Sequence, residues 1–227
     1  MIYSVILHID SPLQSWGTNS RFQHRSAGYA PSKSAICGMI CAACGVAKQS
    51  TAETEIISAF AEVKMDCYTL KSDGVLTDYH TVQNFRRARG AIEANDAVLT
   101  YRQYWQSARY NVVLSSKDYA FICRIHAALQ SPVWGVWFGR KCCIPAAPII
   151  QEPVMAEADA KERAGVGCIE IFAEADDYAS GTDTWFDAPQ GFGTPCSSGR
   201  EGRLYAPRRI NHFIHPDSGD RTEFFKF

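Results

Sequence analysis

A first β-strand is predicted for Met1-Ile2-Tyr3-Ser4-Val5-Ile6-Leu7-His8-Ile9, which lacks the basic leading region and the small-residue cleavage site of a signal peptide. The motif Pro31-Ser32-Lys33-Ser34 then opens a helix that is expected to run to about residue 46, with Ser32 or Ser34 as its cap. The free N–H groups at this helix start, with a lysine beside them, would suit a phosphate. Because no signal peptide is recognised, we expect a cytoplasmic protein.

The remaining pattern predicts an α+β fold. Apolar spacing and turn residues indicate a short helix followed by a strand at 62–70, a strand at 75–82, a strand at 110–114, a helix at 118–129 and a final strand at 168–172. With the first strand and helix, these elements would form a ferredoxin-like β-α-β-β-α-β unit. We expect this unit to span residues 1–180. Residues 181–227 are expected to form an irregular extension, because Gly, Ser and Pro are frequent from residue 191 onward.

The middle of the chain is basic and aromatic. Residues 79–141 hold nine Lys or Arg against three acids, a net charge of +6 in a chain whose net charge is −1, and they also hold eleven aromatic residues. Positive charge attracts phosphates and flat rings accept unstacked bases, so single-stranded RNA is the leading candidate partner. The candidate contacts from this window include Tyr101, Arg86, Arg87 and Arg89. The alternative is a solvated basic face beside ordinary core aromatics.

The acidic and cysteine-rich segments have structural explanations. Residues 151–187 carry ten acids against two bases, which indicates a solvated face or a contact with a basic partner. The nine cysteines include Cys37, Cys41 and Cys44 at helical spacing. Cys41-Ala42-Ala43-Cys44 matches the CxxC pattern, but no second CxxC or HxxxH completes a zinc site. We therefore expect reduced, buried thiols and no metal or other cofactor.

No apolar run reaches the roughly 18 residues of a membrane span, so no membrane contact is expected.

Catalytic motifs are absent from the sequence. It contains no GxxxxGK[ST] phosphate loop, no GxGxxG and no GxSxG elbow. His24, Tyr79, His80 and Lys141 could form a metal-independent ribonuclease set, in which a base activates the 2′-hydroxyl and the lysine stabilises the phosphorane. The alternative is that these four residues only form hydrogen bonds within the fold or to RNA.

Five local strings resemble one known family in their order and spacing. They are Ser11-Pro12-Leu13-Gln14-Ser15-Trp16-Gly17, Pro31-Ser32-Lys33-Ser34, Asp78-Tyr79-His80-Thr81-Val82, Leu99-Thr100-Tyr101-Arg102-Gln103-Tyr104-Trp105 and Phe138-Gly139-Arg140-Lys141-Cys142-Cys143-Ile144-Pro145. The combination covers roughly residues 1–150. It is similar to the CasD-type subunit of the type I-E CRISPR surveillance complex Cascade, a member of the RAMP superfamily.

The resemblance implies a ferredoxin-like (RRM-like) palm with a projecting thumb at about residues 81–100. It implies a non-catalytic subunit that holds the repeat-derived 5′ handle of the crRNA in antiviral defence. The neighbours would be the Cascade backbone subunits and the large PAM-recognising subunit, with target DNA bound only indirectly. Relatives in type I-C complexes cut the precursor RNA, so a metal-independent endoribonuclease is the first alternative. A general single-stranded RNA-binding protein is the second.

The resemblance also assigns candidate handle contacts. Lys33 and Ser34 match the basic-polar helix start near the handle, and Arg102 matches the arginine that follows the thumb. Trp137 occupies the aromatic position two residues before the Gly-Arg pair. The basic pair itself is matched by Arg140 and Lys141. Neither the arginines of the thumb nor the acidic stretch 151–187 follows a family pattern.

Overall fold

The computed structural model of this chain describes residues 1–17, 23–83, 97–177, 179–192 and 203–214. This part of the chain is an α+β fold built on one large sheet. Its elements are β1 Tyr3–Gln14, β2 His24–Arg25, α1 Lys33–Ala43, α2 Thr51–Ala61, β3 Lys64–Lys71, β4 Val75–Gln83, β5 Ala97–Ser116, α3 Tyr119–Gln130, β6 Met155–Ala156, α4 Glu157–Gly165, β7 Glu170–Glu174, β8 Asp183–Phe192 and β9 Arg203–Ile214.

Strand β5 is the centre of the sheet, whose main path runs β6-β1-β5-β3-β7-β9-β8. Its twenty residues are long enough for two sets of neighbours. Residues 105–116 pair with β1 and residues 109–115 pair with β3, whereas residues 97–105 pair with β4. Strand β2 pairs with β5 at Tyr101 and Arg102, in parallel, while the other strand pairs are antiparallel. One end of β5 therefore lies in the body of the protein and the other carries a hairpin.

The two faces of the sheet are packed by different helices. Alternate residues of a strand point to opposite faces, so Val5 and Leu7 of β1 enter a large core while Ile6 enters a small one. The large core contains Ile36 and Ile40 of α1 together with side chains of α2 and α3. The small core packs Ile6, Tyr68 and Val113 against Ala160 and Ala164 of α4. Among the described helices, none is long and apolar enough to cross a membrane.

Helix α1 has the predicted start and the predicted buried stripe. Ser32, the N-cap residue, accepts a hydrogen bond from the N–H of Ala35, which satisfies one free donor of the first turn. Cys37 and Cys41 are buried on its core face, as their spacing predicts. The hydrogen bond to Cys41 and burial both raise the pKa of Cys37, so it remains a thiol. All eight cysteines in the described ranges are free thiols, and the ninth, Cys196, lies outside those ranges.

The prediction that residues 168–172 close a β-α-β-β-α-β unit is wrong. The strand exists as β7, but it pairs with β3, and the edge of β1 is occupied by the two-residue β6. Residue alternation identifies a strand, but it does not specify which edge of the sheet the strand will join.

The prediction of an irregular extension over residues 181–227 is also wrong for its described strands, 183–192 and 203–214, while residues 193–202 and 215–227 lie outside the described ranges. Strands β8 and β9 form a hairpin that extends the sheet beyond β7. Register shifts between Trp185 and Ala188 and between Pro189 and Gly191 interrupt the alternation of β8, which explains why its sequence does not resemble a regular strand.

A buried ionic cluster holds this hairpin on the first helix. The guanidinium of Arg208 donates to both carboxylate oxygens of Asp187 at 2.6 and 3.0 Å, and it lies 3.4 Å from Glu174. Asp187 also accepts from the backbone N–H of Lys33 at 2.8 Å, and the ammonium of Lys33 donates to Glu174 at 2.8 Å. Burial lowers the pKa of Lys33. For Arg208, Asp187 and Glu174 outweigh the effect of burial and raise the pKa.

Much of the acidic stretch 151–187 is paired with basic side chains of this same chain. Six of its ten acidic residues pair with Lys, Arg or His side chains, namely Glu152, Glu157, Glu170, Glu174, Asp176 and Asp187. Much of the stretch is therefore neither a simple solvated face nor a site left open for a basic partner.

We predict that Arg208→Ala lowers the free energy of unfolding by about 3–5 kcal/mol, because it leaves the buried Asp187 carboxylate without its charged partner. Urea denaturation is the measurement, with Lys64→Ala as the control. Lys64 pairs with the exposed Asp176, and exposed pairs contribute little. Equal midpoints for the two variants would show that the cluster does not hold the hairpin. If Arg208→Ala does not fold, Arg208→Lys should still show an intermediate loss.

Candidate nucleic-acid interface

A cleft of about 530 Å³ lies between one face of α1 and the loop that follows α3. Its rim and walls carry the basic and aromatic side chains of Arg25, Lys48, Trp134, Trp137, Arg140 and Lys141, and Ser34 of α1 also lines it. Phe192 of β8 and Tyr205 of β9 close one side. Four of the lining residues are basic and one, Glu53, is acidic, so the cleft is electropositive.

Loop 134–141 is held in place by backbone hydrogen bonds and one buried ring. The N–H groups of Val133 and Trp134 donate to the carbonyls of Ala43 and Ala42, which satisfies acceptors at the C-terminus of α1. Phe138 is fully buried against Trp16, with ring centroids 5.9 Å apart. Between these anchors the rings of Trp134 and Trp137 remain 47% and 40% exposed.

Gly139 is required by the way the loop meets the first strand. Its φ is +97°, and a Cβ at this position would lie 1.8 Å from the carbonyl oxygen of Ser15. The backbone of Ser15 is itself fixed, because its N–H donates to the carbonyl of Phe138 at 3.1 Å. A residue with a side chain would therefore have to displace the backbone of the loop.

The two predicted basic residues after Gly139 have different surroundings. Arg140 donates to the carbonyls of Gln103 at 2.9 Å and Arg25 at 3.0 Å, and its guanidinium lies 4.5 Å from the ring centroid of Tyr104. Lys141 is exposed, with its ammonium 5.9 Å from the ring centroid of Trp137. Arg140 thus joins the walls of the cleft, whereas Lys141 offers its charge to a ligand.

The candidate site at the start of α1 needs a correction. Ser34 lines the cleft, but the Lys33 side chain is buried and paired with Glu174. The carboxylate of Asp187 already occupies the position at this helix start where a phosphate would bind. Lys33 is therefore not available as an RNA contact, and its role is to hold the C-terminal hairpin.

Tyr101 and Arg102 point to opposite faces of β5, because they are adjacent in a strand. The ring of Tyr101 lies beside those of His24 and Tyr79. Arg102 donates to the hydroxyl of Thr100 at 3.1 Å and pairs in register with Asp78. The other three predicted contacts, Arg86, Arg87 and Arg89, lie outside the described residues.

The proposed ribonuclease set is only partly brought together. His24 and Tyr79 both contact Tyr101, at centroid distances of 5.1 and 5.3 Å. His80 follows Tyr79 in β4 and so points to the other face, and Lys141 lies over Trp137. Within the described ranges, no group of three or more His, Cys, Asp or Glu side chains could hold a metal ion.

Comparison with known proteins assigns the family. The sequence model described as CRISPR-associated protein (Cas_Cas5) matches residues 4–192, which include the cleft loop and the strands from β1 to β8. The chain belongs to the Cas5 family. The sequence-based resemblance to a CasD-type, CRISPR-associated subunit is therefore confirmed at the level of the Cas5 family.

One curated relative of this Cas5 chain is the CRISPR system Cascade subunit CasD of Escherichia coli (strain K12), which is 26% identical over 147 residues. That alignment covers 61% of this chain and 66% of the relative, just under two thirds of its length. A chain of a CRISPR RNA-guided surveillance complex has a TM-score of 0.74 at 22% identity, over 93% of this chain and 89% of that one. A crystal structure of a Cas protein has a TM-score of 0.64 at 24% identity, over 93% and 94%. These two structures share the fold.

Sequence reasoning missed the contributions of Arg25, Lys48 and Trp134 to the cleft. Arg25 is 115 residues from Arg140, which bonds its carbonyl. No local spacing signals such a contact. Trp134 offered a weak signal, since it is one of two tryptophans in a short loop rich in glycine.

We predict that Gly139→Ala destabilises the protein clearly more than Gly167→Ala does. Both glycines have a positive φ, which costs a residue with a side chain about 1–2 kcal/mol, but only Gly139 has backbone within reach of an added Cβ. Urea denaturation followed by tryptophan fluorescence compares the two. If both variants lose the same free energy of unfolding, the close approach of Gly139 to Ser15 is not a constraint.

Proposed function

We propose that this Cas5 chain is a non-catalytic RNA-binding and assembly subunit of a Cascade complex, and that it holds the 5′ handle of the crRNA in the cleft between α1 and loop 134–141. The observation that carries the proposal is the cleft itself. It places exposed tryptophans and basic side chains around one concave surface in a protein of a CRISPR-associated family.

The chemistry of the cleft suits a single RNA strand. An unpaired base can stack on Trp134 or Trp137, because every base has a flat π-face. Arg25, Lys48 and Lys141 supply positive charge for the phosphates. The cleft volume of about 530 Å³ is within the usual range for a site that encloses a small ligand or part of a chain.

The topology supports a ferredoxin-like palm. Strands β6, β1, β5 and β3 are adjacent in that order and antiparallel, and α1 and α3 lie on one face. This is the arrangement of a β-α-β-β-α-β unit in which β6 takes the place of the last strand. We take the hairpin of β4 and the first part of β5 as the base of the thumb expected at about residues 81–100, of which residues 84–96 lie outside the described part of the chain.

The name of the relative CasD supports membership of a Cascade complex. The partners proposed for this chain are the crRNA handle, the backbone subunits along the guide and the large PAM-recognising subunit, with target DNA reached only through them. The orientation of His80, which points to the opposite face of β4 from Tyr79, supports a subunit that binds RNA without cutting it.

We predict that Lys141→Glu and Trp137→Ala each weaken binding of the purified chain to repeat-derived handle RNA. The first should reduce the salt slope of binding by about 0.7 for each phosphate that the protein no longer neutralises. Trp137→Ala should reduce the binding free energy by about 1–3 kcal/mol if a base stacks on the ring. Fluorescence anisotropy across a salt series measures both effects.

The control is Lys117→Glu, which changes an exposed lysine at the other end of β5 by the same charge. Its RNA affinity should match that of the wild type. Equal losses in Lys141→Glu and Lys117→Glu would contradict a defined site. If an unrelated RNA of the same length binds equally tightly, the chain is a general single-stranded RNA binder instead.

We also predict that the purified chain leaves labelled repeat RNA intact in EDTA, because His80 points to the opposite face of β4 from Tyr79 and the Lys141 ammonium lies over the Trp137 ring. Gel analysis over several hours provides the measurement. Specific cleavage by the wild type that disappears in His24→Ala, His80→Ala or Lys141→Ala, but persists in Lys117→Ala, would make the chain a processing endoribonuclease.

A further inference from the structure

Three aromatic side chains form a row across three strands at the start of the β4–β5 hairpin. Tyr101 of β5 is in register with Tyr79 of β4 on one side and with His24 of β2 on the other. The rings of His24 and Tyr101 are stacked, with centroids 5.1 Å apart and planes 9° apart. The ring of Tyr79 is 5.3 Å from that of Tyr101 and tilted by 56°. We call this row the aromatic platform.

Core packing does not explain the aromatic platform. Tyr79 is 55% exposed, Tyr101 is 37% exposed and His24 is also exposed. Rings that stabilise a fold are normally removed from water. The backbone beneath them is nevertheless well fixed, because Tyr101 pairs with β4 and its N–H donates to the carbonyl of Gln23 at 2.8 Å. The rings are held in place and left open to solvent.

We propose that the aromatic platform is a second RNA subsite, on which one unpaired nucleobase stacks. The rings of His24 and Tyr101 are nearly parallel, so a base can continue their stack. The tilted ring of Tyr79 borders this stack. The inference rests on the proposed function, since its ligand is the RNA whose other part lies in the cleft.

The surroundings favour a nucleobase over a protein partner. The platform carries two hydroxyls and an imidazole at its edges. The neighbouring pairs on the same face are Thr77 with Gln103 and Thr81 with Leu99, so only Leu99 is aliphatic. The buried centre of a protein interface is more apolar than this. Base stacking needs only flat faces and tolerates polar edges.

The platform and the cleft lie on opposite sides of β2. Side chains alternate along a strand, so Arg25 points away from His24, and Arg25 lines the cleft. Adjacent Cα atoms are about 3.8 Å apart. An RNA strand that leaves the cleft beside Arg25 therefore needs only to cross the two residues of β2 to place its next base on the platform.

The test combines protein variants with RNA that lacks one base. Handle RNA with a single abasic position, scanned along its length, is titrated into wild type, Tyr101→Leu and Tyr101→Phe. The abasic position whose base would stack on the platform should weaken wild-type binding roughly five-fold or more, in addition to any position whose base stacks in the cleft. Tyr101→Leu should weaken binding of intact RNA by a similar factor and be insensitive to that same abasic position. Tyr101→Phe keeps the ring and should bind like the wild type.

The matched control is Tyr119→Leu. Tyr119 is 54% exposed and lies 4.7 Å from the ring of Tyr3, at the far end of β5. Its removal should leave RNA affinity unchanged. If Tyr101→Leu acted only on the structure, it would weaken binding of every RNA by the same factor. The proposal is therefore overturned if the loss of affinity from Tyr101→Leu and the loss from an abasic nucleotide are additive at every position of the RNA.

Two further outcomes separate this inference from the proposed function. If Lys141→Glu weakens RNA binding but Tyr101→Leu does not, the cleft stands and the platform is not an RNA subsite. If Tyr101→Leu leaves RNA affinity intact but reduces copurification of the other Cascade subunits, the platform is a protein contact and the inference is wrong. A wild-type chain that does not bind handle RNA would overturn both.

Discussion

The double pairing of β5 is the constraint on which the rest of the structure depends. Its C-terminal half lies between β1 and β3, where Val112 and Leu114 help to form the core. Its N-terminal half continues beyond those strands and pairs with β2 and β4. The carbonyl of Gln103, in that second half, accepts hydrogen bonds from Ser15 and Arg140. Packing of the core therefore positions both the cleft and the hairpin, because one continuous strand belongs to all three.

Electrostatic pairing inside the chain determines which charges remain for a ligand. The start of α1 could bind a phosphate, but Asp187 already neutralises it, and Lys33 is used to hold Glu174. Six of the ten acidic residues in 151–187 likewise pair with basic side chains within the fold. Exposed charge at the cleft is left to residues such as Arg25 and Lys141, which are held on a short strand and an anchored loop. A chain of net charge −1 can in this way present a basic surface.

Elements with a strong local pattern could be predicted, and elements that depend on distant partners could not. The first strand, α1 and α3 follow from apolar spacing. Helix α4 was missed because only Ala160 and Ala164 face the sheet, which leaves almost no apolar stripe. The C-terminal hairpin was missed because bulges interrupt its alternation and a buried ion cluster replaces apolar contacts. In each case the missing signal is a long-range interaction.

The sequence by itself determined the family, the α+β class and the basic, aromatic character of the middle of the chain, because these depend on residue types and their local order. Only the tertiary structure decided which of those residues reach a ligand. It buried Lys33, made Arg140 a structural link and brought Arg25 to the cleft. It also aligned His24 with Tyr101 and Tyr79. The physical reason is that the exposure and partners of a side chain are set by strand register and by contacts between residues far apart in the chain, and neither is encoded in local spacing.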